Sequence, residues 1–279
     1  MMDTSESLLQ SLANHAILKE LVRGFTFVSA SREDKRDFSP INNAITVFRR
    51  VCALIPDAKD ITVVNPDELD AIDAFVHKIQ RDDPNAPLVH LTILETKYYN
   101  LTWLRARYTS LEIQEELARS PYLDEPGFGT WRFAEPLVSL RLESSDNFGQ
   151  FTLGSCTSLE RLELVSVQPY WSGRIGLQRT DQTLSSLRDL KSLETLVLSG
   201  GPCETSDYLF TPGRLGDSIP PCVSTLEIDI EIGIATLVEL ISSLPLSTGI
   251  KKFMVRTRIE DVTELKEICQ GKGIKLVVV

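Results

Sequence analysis

Apolar residues recur along this 279-residue chain in short phrases of one form, apolar-x-x-apolar-x-apolar. The clearest are Leu137-x-x-Leu140-x-Leu142, Leu159-x-x-Leu162-x-Leu164 and Leu193-x-x-Leu196-x-Leu198. In extended backbone alternate side chains share a face, so the last two apolar residues of each phrase point one way and their neighbours the other. Earlier copies start at Val22, Ala58, Leu88 and, more weakly, Tyr108; later ones start at Val223, Ile250 and Gly273. Successive copies begin 20 to 36 residues apart, enough for a strand and a return segment.

Several return segments carry helical spacing. After Ser39-Pro40, an N-cap with proline at the first helical position, Ile41, Ala44, Ile45, Phe48, Val51 and Cys52 form a stripe. Asn65-Pro66 with Glu68 repeats that start, and Leu69, Ile72, Val76 and Ile79 form a second stripe. Further helices are predicted over 234–244 and 262–269, and Gly271-Lys-Gly273 reads as a helix C-cap and turn. Strands and helices alternating in this way imply parallel pairing through crossovers. The fold class expected is α/β, a leucine-rich-repeat solenoid or horseshoe, with a parallel sheet on the concave face and helices and loops on the convex face.

The pattern predicts a single domain over 1–279, with a capping helix in 1–20 and about ten irregular repeats in 21–279. The cap helix runs from Ser5 to Asn14, with Leu8, Leu9, Leu12 and Ala16 in its stripe. Glycine and proline mark 121–135, 168–176 and 200–221 as long loops. At the other end, Ile274 to Val279 reads as a strand with an open edge, which would suit self-association or a partner strand.

The residues between the buried leucines set the surface. Their central column reads Thr26, Thr62, Thr92, Glu112, Arg141, Glu163, Val197, Glu227, Met254, Val277. Arg141, Glu143, Arg161, Glu163, Glu227, Asp229, Lys252 and Arg256 are the expected partner-binding residues, because a mixed face suits a protein ligand by complementarity of charge and shape. Trp131 and Trp171, placed in loops, join them as candidate hot spots.

No catalytic residues, cofactor site or metal site are expected. The chain lacks a His-Glu-x-x-His pair, a P-loop, a Gly-x-Ser-x-Gly elbow and a Rossmann glycine triplet. His77 with Asp70 and Asp73 shares one helix face, which reads as a solvated polar face. A net charge of −10 disfavours nucleic acid and favours a basic protein partner. Five scattered cysteines, no signal-peptide order and no apolar run of bilayer length point to a reducing cytoplasmic or nuclear setting, with no membrane partner.

The phrases Leu21-Val-Arg-Gly-Phe-Thr-Phe27, Leu54-Ile-Pro-Asp-Ala-Lys-Asp-Ile61 and Gly273-Ile-Lys-Leu276 resemble those of the irregular leucine-rich-repeat proteins of filamentous and mushroom-forming fungi, many of them F-box-like. The resemblance covers nearly the whole chain and implies a non-enzymatic protein-interaction scaffold. The alternative it implies is the substrate-recognition subunit of an SCF-type ubiquitin ligase, although only about 20 residues precede the first strand, too few for a helical F-box.

Overall fold

A computed structural model describes residues 4–15, 22–28, 41–55, 58–64, 69–83, 89–96, 103–104, 106–115, 132–133, 136–144, 153, 156–166, 187–200, 212–229, 232–245, 248–256 and 261–279. The architecture is α/β. Contacts divide the chain into two compact units, Met1–Glu116 and Leu117–Val279.

In the first unit, β1 (Gly24–Val28), β2 (Asp60–Val64), β3 (Val89–Thr96) and β4 (Tyr108–Glu115) pair in that order, all parallel. Phe25, Ile61, Leu91 and Leu111 align across the four strands, and so do Phe27, Val63, Ile93 and Ile113. Its helices are α1 (Thr4–Asn14), α2 (Ile41–Leu54) and α3 (Leu69–Asp82). Leu12 of α1 joins Ile55 and Ala58 in a small cluster against Val22, Phe25, Val51 and Leu54. Phe48 of α2 is fully buried, tilted against Phe25 at 5.6 Å and edge-on to Phe75 at 5.9 Å.

In the second unit, β5 (Ser139–Ser144), β6 (Arg161–Ser166), β7 (Thr195–Gly200), β8 (Thr225–Asp229), β9 (Lys252–Val255) and β10 (Lys275–Val278) pair in order, again all parallel. Leu140, Leu162, Leu196, Leu226, Phe253 and Leu276 stand side by side, with Leu142, Leu164, Leu198, Ile228, Val255 and Val278 one step on. From β5 to β9 every one of these is at most 1% exposed, whereas on β10 Leu276 is half-buried and Val278 is 46% exposed. Helices α4 (Pro212–Ser218), α5 (Ile234–Ser243) and α6 (Thr263–Gly271) bury Leu215, then Leu237, Leu240 and Ile241, then Leu265 and Cys269. Gly273 holds φ +70 after α6, as a C-cap glycine should.

Each observed strand begins within two residues of the start of its apolar phrase, and a single joint explains the offset. In six phrases the first apolar residue lies just before the strand and is buried there: Ala58, Leu137, Leu159, Leu193, Val223 and Ile250. The carbonyl of the following residue then accepts two consecutive N–H groups from the next strand's entry. Val138 takes Glu160 and Arg161, Glu160 takes Glu194 and Thr195, Glu194 takes Ser224 and Thr225, and Ser224 takes Lys251 and Lys252, all at 2.9–3.1 Å except the 2.8 Å Glu194 bond. Arg23 does the same for Lys59 and Asp60 in the first unit. Ahead of the joint lie tight turns with three-residue spacing: Ala58 N–H to Ile55, Cys156 to Leu153, Leu159 to Cys156, Leu190 to Leu187 and Val223 to Pro220.

Three expectations are corrected. The segment 200–221, read as a loop, contains helix α4, which starts at Pro212, where proline's missing N–H costs nothing. Of 121–135, the described Arg132–Phe133 is a two-residue strand. The stripe of α3 is also rotated, for Ile79 is 41% exposed while Asp73 and Gln80 are buried. The Asp73 carboxylate accepts the Tyr108 hydroxyl at 2.8 Å and the Ala106 N–H at 3.1 Å. The Gln80 amide accepts from Arg107 N–H at 2.7 Å and donates to the Arg107 carbonyl at 2.8 Å. The helix thereby satisfies the backbone that enters β4, and of the face read as solvated Asp73 is turned inward while His77 is half-buried.

Neighbouring repeats also brace each other's helix ends. Arg188 donates to the Asp217 carbonyl at the end of α4, and Lys272 to the Ser242 and Leu244 carbonyls at the end of α5, placing cations where helix carbonyls are unpaired. Gly249, just ahead of β9, leaves no room for a side chain: a Cβ there would overlap the Pro221 carbonyl oxygen.

Gly249→Ala is therefore expected to lower stability by roughly 2 kcal/mol, read as a lower urea midpoint at an unchanged slope. Burial, then the Asp73 carboxylate, holds the Tyr108 phenol well above its ordinary range. A folded-state pKa raised in this way adds stability that is complete below about pH 10 and declines above it, because the unfolded phenol ionises first. Tyr108→Phe should cost about 1–2 kcal/mol at neutral pH and show a shallower stability loss than the parent between about pH 9 and 11; equal slopes in urea titrations would contradict this.

Candidate functional site

The outward side chains of the second unit follow from its register. One row runs Ser139, Arg161, Thr195, Thr225, Lys252, Lys275. The middle row runs Arg141, Glu163, Val197, Glu227, Met254, Val277. A third begins Glu143, Val165, Ser199, Asp229. Strand neighbours lie about 4.8 Å apart, so each row is a fixed ladder of side chains. In the first unit the middle row is Thr26, Thr62, Thr92, Glu112, hydroxyl-rich as expected.

Of the expected partner-binding residues, four form one linked group. Arg141 Nε reaches Glu163 Oε1 at 3.0 Å, Arg141 Nη1 reaches Glu143 Oε2 at 3.3 Å, and Arg161 Nη2 reaches Glu163 Oε2 at 3.3 Å. Two guanidinium groups and two carboxylates close on one another, so this part of the face is locally neutral. Asp229 and Arg256 pair at 2.9 Å at the far end of their strands. Glu227 and Lys252 stand apart: among the described residues neither side chain makes an ion pair. Trp131 and Trp171 lie outside the described residues.

Val197, read as an outward-facing member of the central column, is only 3% exposed. It is a short β-branched side chain in register between Glu163 and Glu227, whose longer stems rise on either side of it. The exposed apolar part of the column is thus Met254 and Val277, both half-buried, on β9 and β10.

Other chemistry is sparse in the described part. No group of three His, Cys, Asp or Glu residues is placed to hold a metal among the described residues. Asp73 is committed to Tyr108 and Ala106, which takes it away from His77. The described cysteines 52, 156, 222 and 269 are free thiols. Burial pushes the Cys52 thiol up to about 12 and that of Cys269 up to about 11, so both are poor nucleophiles at neutral pH. A groove of about 560 Å³ runs between α1 and α2, lined by Leu9, Gln10, Ala13, Arg50, Ala53 and Leu54. No helix among the described residues is long and apolar enough to cross a membrane.

Sequence reasoning missed Asp73 and Gln80 as structural groups. Their signal was present: both fall on the Ile72–Val76 face of α3, where a polar residue must find a partner.

The Arg141–Glu163 pair is partly shielded, with side chains 30% and 21% exposed. A double-mutant cycle with Arg141→Ala and Glu163→Ala should give a coupling of about 0.5–1 kcal/mol, reduced by about 0.5 M salt. A coupling near zero at low salt would mean that the two side chains are independent in solution. No family model, curated protein or solved structure matches this chain.

Proposed function

We propose that this chain is a non-enzymatic leucine-rich-repeat scaffold that holds a protein partner on the outward face of its parallel sheet. One observation carries the reading: across β5 to β10 the outward side chains stand in straight registered rows that mix charge, hydroxyl and apolar groups. The backbone of these strands is consumed by the ladder, so recognition falls to the side chains. Their fixed spacing makes the surface pre-organised, which lowers the ordering cost of binding. Repeat sheets of this kind use such extended faces to bind other chains.

The test is site-specific cross-linking. A photo-reactive residue at Thr195 or Thr225, both on the outward rows, should give a discrete larger species in extract of the native cell. The same probe at Glu239, exposed on α5, should not. Equal products from sheet and helix positions, or products from the helix alone, would overturn the assignment of the face.

A further inference from the structure

The cations of the outward face differ in what they touch. Arg141, Arg161 and Arg256 each have a carboxylate within 3.3 Å. Lys252 and Lys275 have none among the described residues. These two lysines are direct partners in the β9–β10 register, and Met254 and Val277 are direct partners two residues on. Like charges set opposite each other on neighbouring strands destabilise a sheet, so a bare Lys–Lys rung is a cost that nothing described in the chain offsets. Glu227 is the nearest carboxylate in register, beside Met254 and not beside Lys252, and it makes no ion pair with either lysine.

Resting on the scaffold reading above, we infer that the outward face of β9 and β10 docks an acidic, apolar-bearing segment of a protein partner. One carboxylate of the segment sits between Lys252 and Lys275, and an adjacent apolar side chain lies on Met254 and Val277. Charge complementarity selects this occupant: two ammonium groups share one rung of the outward face with no carboxylate paired to either among the described residues, so the rung fits an opposite charge supplied from outside. Two ammonium groups are too few to hold a nucleic-acid backbone, whose binding depends on many phosphate contacts. A half-buried methionine and valine beside them suit a side chain of a folded or extended protein segment.

The experiment uses the full chain and four fluorescent probes: short peptides alternating leucine with glutamate, with glutamine or with lysine, and an oligothymidylate. The glutamate peptide should bind saturably and weaken about tenfold or more when salt rises from about 0.05 to 0.3 M. The double variant Lys252→Ala/Lys275→Ala should lose that binding, while Lys191→Ala/Lys266→Ala, which removes equal charge at exposed sites, should keep it. Because a variant can misfold, the methyl resonance of Met254 in the unaltered chain gives a second reading and should shift on titration with the glutamate peptide. Absent saturable binding of that peptide, equal loss in both double variants, an unmoved Met254 methyl, or oligothymidylate binding abolished by Lys252→Ala/Lys275→Ala would each overturn the inference. Binding of the lysine peptide instead would overturn the acidic assignment and leave the sheet-docking reading standing. If the Thr195 and Thr225 cross-links fail as well, both fall.

Discussion

At five places along the chain a single carbonyl fixes where the next strand begins. Val138, Glu160, Glu194 and Ser224 each give their oxygen to two successive amides of the following segment, and Arg23 does so in the first unit. That joint locates the entry of each strand relative to the last, and the ladder beyond it can only propagate the same register. Because side chains alternate along a strand, a slip of one residue would exchange the buried leucines with the outward charges. The uninterrupted rows of Leu140, Leu162, Leu196, Leu226 and Phe253 follow from the repetition of that joint.

Much of this was readable from the order of residues alone. All ten apolar phrases mark a strand, because an alternation buried on one face has period two and little else mimics it. The return helices signalled by Ser39-Pro40 and Asn65-Pro66 formed, although the buried stripe of the second is rotated away from Ile79. The three-residue turns leading into the strands were harder to see. Leu153, Cys156 and Leu159, or Leu187, Leu190 and Leu193, have a spacing that also fits a helix, and only the tertiary joint decides between them. Helix α4 was hidden for a related reason: its glycine and proline content speaks for a loop, yet Leu215 is fully buried and Gly216 comes close to Ser243 of α5.

The outward face was legible as a set of residues and illegible as a set of pairs. Counting charges along Arg141, Glu143, Arg161 and Glu163 gives a mixed surface; register adds the cross-strand Arg141–Glu163 contact that links the two in-strand pairs Arg141–Glu143 and Arg161–Glu163. Val197 shows the complementary limit, since its burial depends on the reach of its neighbours and not on its own position. Asp73 and Gln80 behave likewise on α3, where an irregular entry to β4 needed acceptors and donors that a leucine could not supply.

The repeated joint bears on how such a chain could have lengthened. At five boundaries the same main-chain pair of N–H bonds recurs at the same step of the phrase, with the Ser224 hydroxyl as an added donor to the Glu194 carbonyl. Duplicating or excising one whole strand-and-return segment would thus recreate an intact boundary, whereas gaining a single residue ahead of a strand would not. Growth by tandem copying is then mechanically permitted at any of these boundaries, leaving the outward letters of each new copy free to drift.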